Sequence, residues 1–425
     1  MIDLRKLRDD EAYRNGAMAK GVDAESIDRV LTLDDGHRSA LAAAEELRAK
    51  SNVASKEIGR AAPEERQAKI DAAGELKREV TEAEARLTAA AEELEKLALT
   101  MPNPSHDSVP EGGEDDFRVE AEVGDCAPEV AYDHGTIGER LGLVDTERAV
   151  RMSGSRFAYI MGDAVRLQFA LVQWTLAKVA EHGFIPVVTP VLVREEMMEL
   201  AGFFPTDRNQ VYALEADELY LIGTSEVALA GMHREERLDD EQLPVRYAGY
   251  SSCFRREAGT YGKDTSGLFR VHQFDKVEMF IYAHPDRSWE ELELLRQIQE
   301  DIVGGLGLPY RVITVAAGDL GAAAAKKYDL EVWLPSEQRY REVTSCSNYT
   351  DYSARRMSTR VKTVDDAGKS STVLAHTLNG TACAIGRTLL SIFENHQQPD
   401  GSIVVPEVLR PFCGGMDVIG PQDGS

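Results

Sequence analysis

The chain has 425 residues, 43% of them apolar and 28% charged, and a net charge of −25. That length suits a large core domain with one appendage, and the composition reads as soluble and globular. The acidic balance argues against nucleic-acid binding through overall charge, because phosphate contacts need Lys and Arg, so any such contact must rest on local features.

In chain order, residues 1–10 carry charges of both signs and no apolar leader. Residues 26–98 are rich in Ala, Glu, Leu, Lys and Arg. Their second half repeats Ala73, Leu76, Val80, Ala83, Leu87, Ala90, Leu94 and Leu97 at alternating spacings of three and four, the seam of a coiled coil. A weaker series from Val30 to Ile58 precedes it, and residues 59–64 between them hold both Gly and Pro. The two series are predicted to fold back as an antiparallel helical hairpin, projecting on the order of 50 Å at ~1.5 Å per residue. Acidic residues outnumber basic ones in it, 16 to 12. The pattern alone therefore fits an oligomerisation or spacer coil as well as an RNA-gripping arm.

The predicted organisation is an N-terminal domain over 1–100, a linker over 101–130 that is dense in Pro, Gly and acid, and a main domain over 131–425. Beyond the linker, β-type runs at 219–222, 247–256, 268–281, 310–315 and 330–334 follow one another without regular helical crossovers. They predict an α+β domain with a mainly antiparallel sheet flanked by helices. The longest apolar run, near Phe184, is broken by Pro186 and Pro190 and predicts no membrane span. No G-x-x-x-x-G-K-[ST] or strand-linked G-x-G-x-x-G is present, so nucleotide binding would need another device. The five cysteines, Cys126, Cys253, Cys346, Cys383 and Cys413, form no C-x-x-C pair. They predict reduced thiols in a cytoplasm and no zinc site.

Chemistry concentrates in the hairpin over 254–278. A period of two puts Arg255 and Glu257 on one face of its first arm, and Arg270, Phe274 and Glu278 on one face of its second, around a polar loop at 259–267. At ~3.3 Å per residue those last three side chains span roughly 27 Å, enough to line a nucleotide joined to a small amine. An arginine fork suits phosphates, Phe stacks a base, and a carboxylate holds an ammonium or hydroxyl. A solvated strand face with cross-strand ion pairs has the same pattern. Three further constellations weigh against that plainer reading. LIGTSE (221–226) offers Thr224 and Glu226 at a strand end. REVTSCSN (341–348) offers hard oxygen ligands suited to magnesium beside phosphates. LNGTACAIGRT (378–388) leads through Gly386 and Arg387 into an apolar helix.

Together these segments resemble the seryl-tRNA synthetases of bacterial type, which are class II aminoacyl-tRNA synthetases, over essentially the full chain. Residues 183–192 resemble motif 1, of the dimer interface. FRREAG (254–259) through RVHQFDKVE (270–278) resembles motif 2, and LNGTACAIGRT with PEVLRPF (406–412) resembles motif 3 and the family's tail.

The resemblance implies ATP and Mg²⁺ as substrate and cofactor, L-serine as the amino acid, and a homodimer. It further implies tRNA(Ser), with tRNA(Sec) as a further acceptor, gripped by the helical arm. By the same resemblance Arg255 would hold the α-phosphate, with Arg256 in the same ATP segment. Glu257 would meet the adenine amino group, and the Val271 backbone the adenine edge. Phe274 and Arg387 would cover the two faces of the ring, and Arg270 would take the outer phosphates. Glu342 and Ser345 match magnesium ligands, with Val343 and Thr344 between them. Thr224, Ser225, Glu226, Glu278, Asn379 and Thr381 would form the serine pocket, Glu226 for the ammonium and Glu278 with Thr381 for the hydroxyl.

No side chain stands out as a nucleophile or general base, so Arg255 and Arg387 would act by positioning and charge stabilisation. His272 and His376 are expected to be structural. The chain departs from the family pattern at Gly223, Ser225, Ser266, Ala382 and Cys383, which bears on pocket shape and on the motif 2 loop. A ligase that loads a carrier protein would lack the long arm, and a non-enzymatic derivative would not need the retained Arg255, Glu257, Glu278, Glu342 and Arg387.

Overall fold

The computed structural model of the chain describes residues 2–258, 268–364 and 368–420, so the motif 2 loop at 259–267, with Ser266, lies outside the described residues. Two compact units are present, Met1–Pro104 and Ser105–Ser425.

The first unit opens with two short helices that the sequence pattern did not announce, α1 (Leu4–Asp9) and α2 (Glu11–Ala19). Asp3 and Asp10 cap them by accepting from backbone N–H groups. The hairpin follows as α3 (Ala24–Ile58) and α4 (Pro63–Ala98). Asp23 caps the former, and Pro63 begins the latter at the position where its missing N–H costs nothing. Ile27, Val30, Ala44, Ala83, Leu94 and Ala98 are buried along the pair. Arg48 Nε meets Glu84 Oε1 at 2.7 Å and Lys69 Nζ meets Glu57 Oε2 at 3.5 Å, cross-helix contacts in an antiparallel register.

The second unit is built on an eight-stranded sheet. Its strands are β1 (Arg118–Val123), β2 (Ile185–Val188), β3 (Val245–Phe254), β4 (Gln273–Ala283), β5 (Tyr310–Thr314), β6 (Lys326–Leu334), β7 (Arg339–Asn348) and β8 (His376–Ala384). They lie in the order β1-β5-β6-β7-β8-β4-β3-β2. Every pairing is antiparallel except the edge pair β2–β3. Helices α5 (Asp163–Glu181), α7 (Ser288–Gly305) and α8 (Ile385–Asn395) pack on the sheet, and a short α6 (Glu226–Ala230) lies between α5 and α7 in sequence.

The central strand β4 explains where a site can form. Val277, Met279 and Ile281 enter the main core with Leu171, Leu295 and Leu389. On the other parity, Phe280 and Tyr282 enter a second apolar cluster with Ile222 and Leu229, while Phe274, Lys276 and Glu278 line a cleft. One strand thus carries two cores and a polar wall, because alternate side chains leave opposite faces.

The strand bounds correct the hairpin read from sequence. β4 starts at Gln273, and residues 268–270 form a turn in which Phe269 is buried, so Arg270 does not share a pleated face with Phe274. β3 ends at Phe254, and Glu257 has a φ of +50°, which a side-chain-bearing residue adopts only under local constraint. Arg255 and Glu257 are therefore not alternate strand residues. Thr224 and Ser225 lie in the turn that enters α6, past the end of the strand Leu219–Leu221.

Candidate active site

A cleft of about 390 Å³ opens where β4, β7 and β8 meet the turns around Thr224, Arg255 and Arg270. Turns bring Arg255, Glu257, Arg270 and Val271 to its wall, and the strands bring Phe274, Glu278, Glu342, Val343, Thr344, Ser345, Asn379 and Thr381. Thr224, Glu226 and Arg387 complete the set. Two predicted residues stand apart from the lining. Ser225 is buried behind it and donates through Oγ to Gly249 O at 3.3 Å. Arg256 is exposed, with its backbone N–H donating to Gln210 O at 2.8 Å.

One end of the cleft is cationic. Arg255 donates from Nε to Gly223 O at 3.2 Å, and its guanidinium lies 5.3 Å from the Phe274 ring centre. Arg387 donates from Nη1 to Glu342 O at 2.8 Å and lies 4.9 Å from the ring of Phe269. Arg270 is paired with Glu257. Burial alone would raise the Glu342 carboxyl, but Lys327, Arg387 and Arg255 outweigh it and hold it down to about 2. Glu342 and Ser345 present hard oxygens, and an always-ionised carboxylate fits Mg²⁺. Among the described residues no cluster of three or more His, Cys, Asp or Glu side chains is placed to hold a metal ion.

The other end carries buried acid. Glu278 is fully buried and Glu226 is 4% exposed. Asn379 Nδ2 donates to Glu226 Oε2 at 2.9 Å and to Glu278 Oε1 at 3.3 Å, while Thr381 Oγ1 donates to Glu278 Oε2 at 3.2 Å. The Glu278–Thr381 contact follows from the β4–β8 register, in which the two residues are paired beside a bulge at Val277/Glu278. Burial, then the charge of Glu278, raise the Glu226 carboxyl to about 7 against the opposing pull of Lys276, Tyr349 and Arg255.

Several cleft residues were not anticipated from the sequence, and four of them bear on its chemistry. Lys276 is buried, donates to Thr224 Oγ1 at 2.8 Å and pairs with Glu278. The period of two that picked Phe274 and Glu278 passes through it. Lys327 contacts both oxygens of Asp329, at 2.9 and 3.0 Å, and lines the cleft beside Glu342. Tyr349 hydrogen-bonds Glu226, and Phe269 carries Arg387 and Arg341. No local signal marks these last three, since their roles arise from strand neighbours distant in sequence. Gln299 of α7 braces the floor from below, donating from Nε2 to Thr344 Oγ1, Ser345 O and Thr381 O at 2.7–2.9 Å. His272 and His376 bond Arg255 O at 2.9 Å and Ser288 Oγ at 2.7 Å, and neither is among the cleft-lining residues.

A second cavity of about 400 Å³ shares Leu268, Val271, Phe274 and Gly386 with the cleft. Its walls are mostly apolar, among them Met152, Phe157 and Leu389, and its polar members, Asp275, Gln168, Gln273 and Ser153, include no cation, so phosphate chemistry belongs to the polar cleft.

A cleft with cations at one end and buried acid at the other suits a nucleotide joined to an amino acid, and the comparisons with known proteins agree. Residues 1–104 match the seryl-tRNA synthetase N-terminal domain, and residues 210–396 match the tRNA synthetase class II core domain (G, H, P, S and T). The serine–tRNA ligase of Thermobifida fusca is 48% identical, covering 99% of both chains. The crystal structure of seryl-tRNA synthetase from Pyrococcus horikoshii complexed with ATP has a TM-score of 0.92 at 36% identity and covers 100% of both chains. That of the cytoplasmic serine–tRNA ligase from Naegleria fowleri with AMP has a TM-score of 0.87 at 32% identity, covering 99% of each. With both of its domains matched and its whole length covered at this identity, the chain belongs to the seryl-tRNA synthetase family, the ATP-dependent ligases that join serine to tRNA.

Proposed function

We propose that the cleft activates L-serine with ATP to seryl-adenylate and pyrophosphate, and then passes the seryl group to the 3′ end of tRNA(Ser), with tRNA(Sec) as a further acceptor. The observation that carries this reading is one cleft lined both by Arg255 and Arg387 and by the buried acids Glu226 and Glu278, which Asn379 joins. Arg255 takes the α-phosphate, Arg270 the outer phosphates, and Phe274 and Arg387 the adenine faces. Glu257, Arg256, Val271, Val343 and Thr344 complete the nucleotide segment. In the structure Arg270 is tied to Glu257, so both must exchange partners when ATP enters.

Magnesium bound with ATP would be held by Glu342 and Ser345 and would neutralise phosphate charge. Glu226 takes the serine ammonium, with Thr224 and Ser225 at the same turn, and Glu278 with Thr381 reads the hydroxyl. Such a site rejects alanine because its own buried polar groups would be left unpaired. The serine carboxylate then attacks the α-phosphorus in line. Catalysis comes from holding the two reactants together and from fixed positive charge at the phosphates.

Residues 1–100 are read as the tRNA-binding domain, residues 101–130 as the linker and residues 131–425 as the catalytic domain. The α3–α4 hairpin grips the tRNA. The homodimer forms through motif 1, a reading supported by Val188 at 82% and Ile185 at 55% exposure on edge strand β2. No helix among the described residues is long and apolar enough to cross a membrane, and the five cysteines are free, which supports a cytoplasmic assignment. Serine-dependent exchange of pyrophosphate into ATP, followed by charging of purified tRNA(Ser), tests the function. Exchange without charging of any serine tRNA would sink it.

A further inference from the structure

Within the amine end of the cleft, one buried cation sits among the acids. Lys276 is 6% exposed, and its Nζ bonds Thr224 Oγ1 at 2.8 Å while pairing with Glu278. Glu278 is itself fully buried, with Oε1 taken by Asn379 and Oε2 shared between Thr381 and Lys276. Among the described residues no cation bonds the Glu226 oxygens: their hydrogen-bond partners are the neutral donors Asn379 and Tyr349, and Lys276 and Arg255 reach the carboxyl only by their fields.

The two carboxylates, bridged by a single amide, therefore differ in charge balance. Glu278 is paired directly with Lys276, whereas Lys276 and Arg255 act on Glu226 only through space. A low-dielectric pocket amplifies that difference, because a second ammonium brought to Glu278 would meet Lys276 as a like charge.

We infer that Lys276 is a specificity-determining positioning residue, which by occupying Glu278 confines the substrate's positive charge to Glu226 and leaves Glu278 to accept a neutral hydroxyl. The inference rests on the serine reading of this end of the cleft and adds a class of amino acid that the site is built to refuse: small ones whose side chain ends in an ammonium in place of the hydroxyl. Without Lys276, two acids would face the substrate. The pocket would then match two positive charges better than one.

The test compares L-serine with L-2,3-diaminopropionate, its amine counterpart, in pyrophosphate exchange by wild type and full-length Lys276→Met and Lys276→Gln at about pH 6, where both amines of diaminopropionate carry a proton despite their mutual repulsion. Wild-type exchange with serine checks the functional reading separately, before any variant is made. For the variants, KM for serine is expected to rise about tenfold or more, as when one member of a buried pair is removed, while KM for ATP stays within about twofold. The preference for serine over diaminopropionate, as a ratio of kcat/KM, should fall at least about tenfold. A ratio that stays at the wild-type value in either variant with ATP binding intact overturns the inference. Lys276→Gln keeps a donor toward Thr224 without the charge, so a shifted ratio in that variant identifies charge, and not packing, as the cause.

Discussion

Replacing Glu226 by Gln should make the protein more stable while removing its function. The Glu226 carboxyl is displaced from 4.5 to about 7 by burial and by Glu278. At 1.36 kcal/mol per unit, keeping it ionised costs roughly 3 kcal/mol in the absence of serine. Between those two values the folded protein holds a proton that the unfolded chain releases. Stability therefore falls as pH rises through the window and stays low above it. Glu226→Gln keeps the shape and a partner for Asn379 Nδ2, so at pH 8 it should be more stable by about 1–3 kcal/mol in urea unfolding at one fixed protein concentration. The advantage should shrink by roughly 2 kcal/mol on going to pH 5.5. In pyrophosphate exchange the variant should lose about 2–5 kcal/mol of serine recognition, and wild-type kcat/KM for serine should fall about tenfold per unit below pH 7. A variant no more stable than wild type at pH 8, or an advantage independent of pH, would refute the reasoning.

Arg387→Ala removes a guanidinium held by Glu342 O and the Phe269 ring, and should lower kcat for exchange by about 10²-fold or more with an unchanged unfolding midpoint. Glu394, fully buried in α8, accepts from His134 Nδ1 at 2.6 Å, His134 N at 3.1 Å, and Ser336 N and Oγ at 2.9 and 2.7 Å. Burial alone would raise its carboxyl, but these bonds outweigh burial and lower it. Its stabilising contribution is then complete above the usual carboxylate range and lost as pH falls below it. Glu394→Ala should cost about 3–5 kcal/mol at pH 7 and progressively less in acid, measured by urea unfolding. Joining residues 25 and 99 by a short Gly/Ser linker, which deletes 26–98, should leave serine-dependent exchange within about twofold and abolish tRNA charging; equal charging would remove the arm's role.

Local pattern was enough for the α3–α4 hairpin, because a seam repeated over many turns survives any single exception, and Pro63 marks the second start. It was enough for β4 from Gln273 onward, where alternation is enforced by burial of Val277, Met279 and Ile281. It failed four residues earlier. There Phe269 turns inward beneath Arg341 and Arg387, side chains that lie more than 70 positions away and that no period can announce.

Which residue types are on hand, the arginines, the paired acids and the hydroxyls, is legible in the chain itself, each in a recognisable segment. How they divide the work is set by packing between segments far apart in sequence. Strand order β8-β4-β3 sets Thr381 opposite Glu278, Asn379 ties Glu278 to Glu226 from α6, and Lys276 neutralises one acid of the pair. Charge preference in a buried cleft depends on distance and dehydration, and both are set by non-neighbouring segments once they pack.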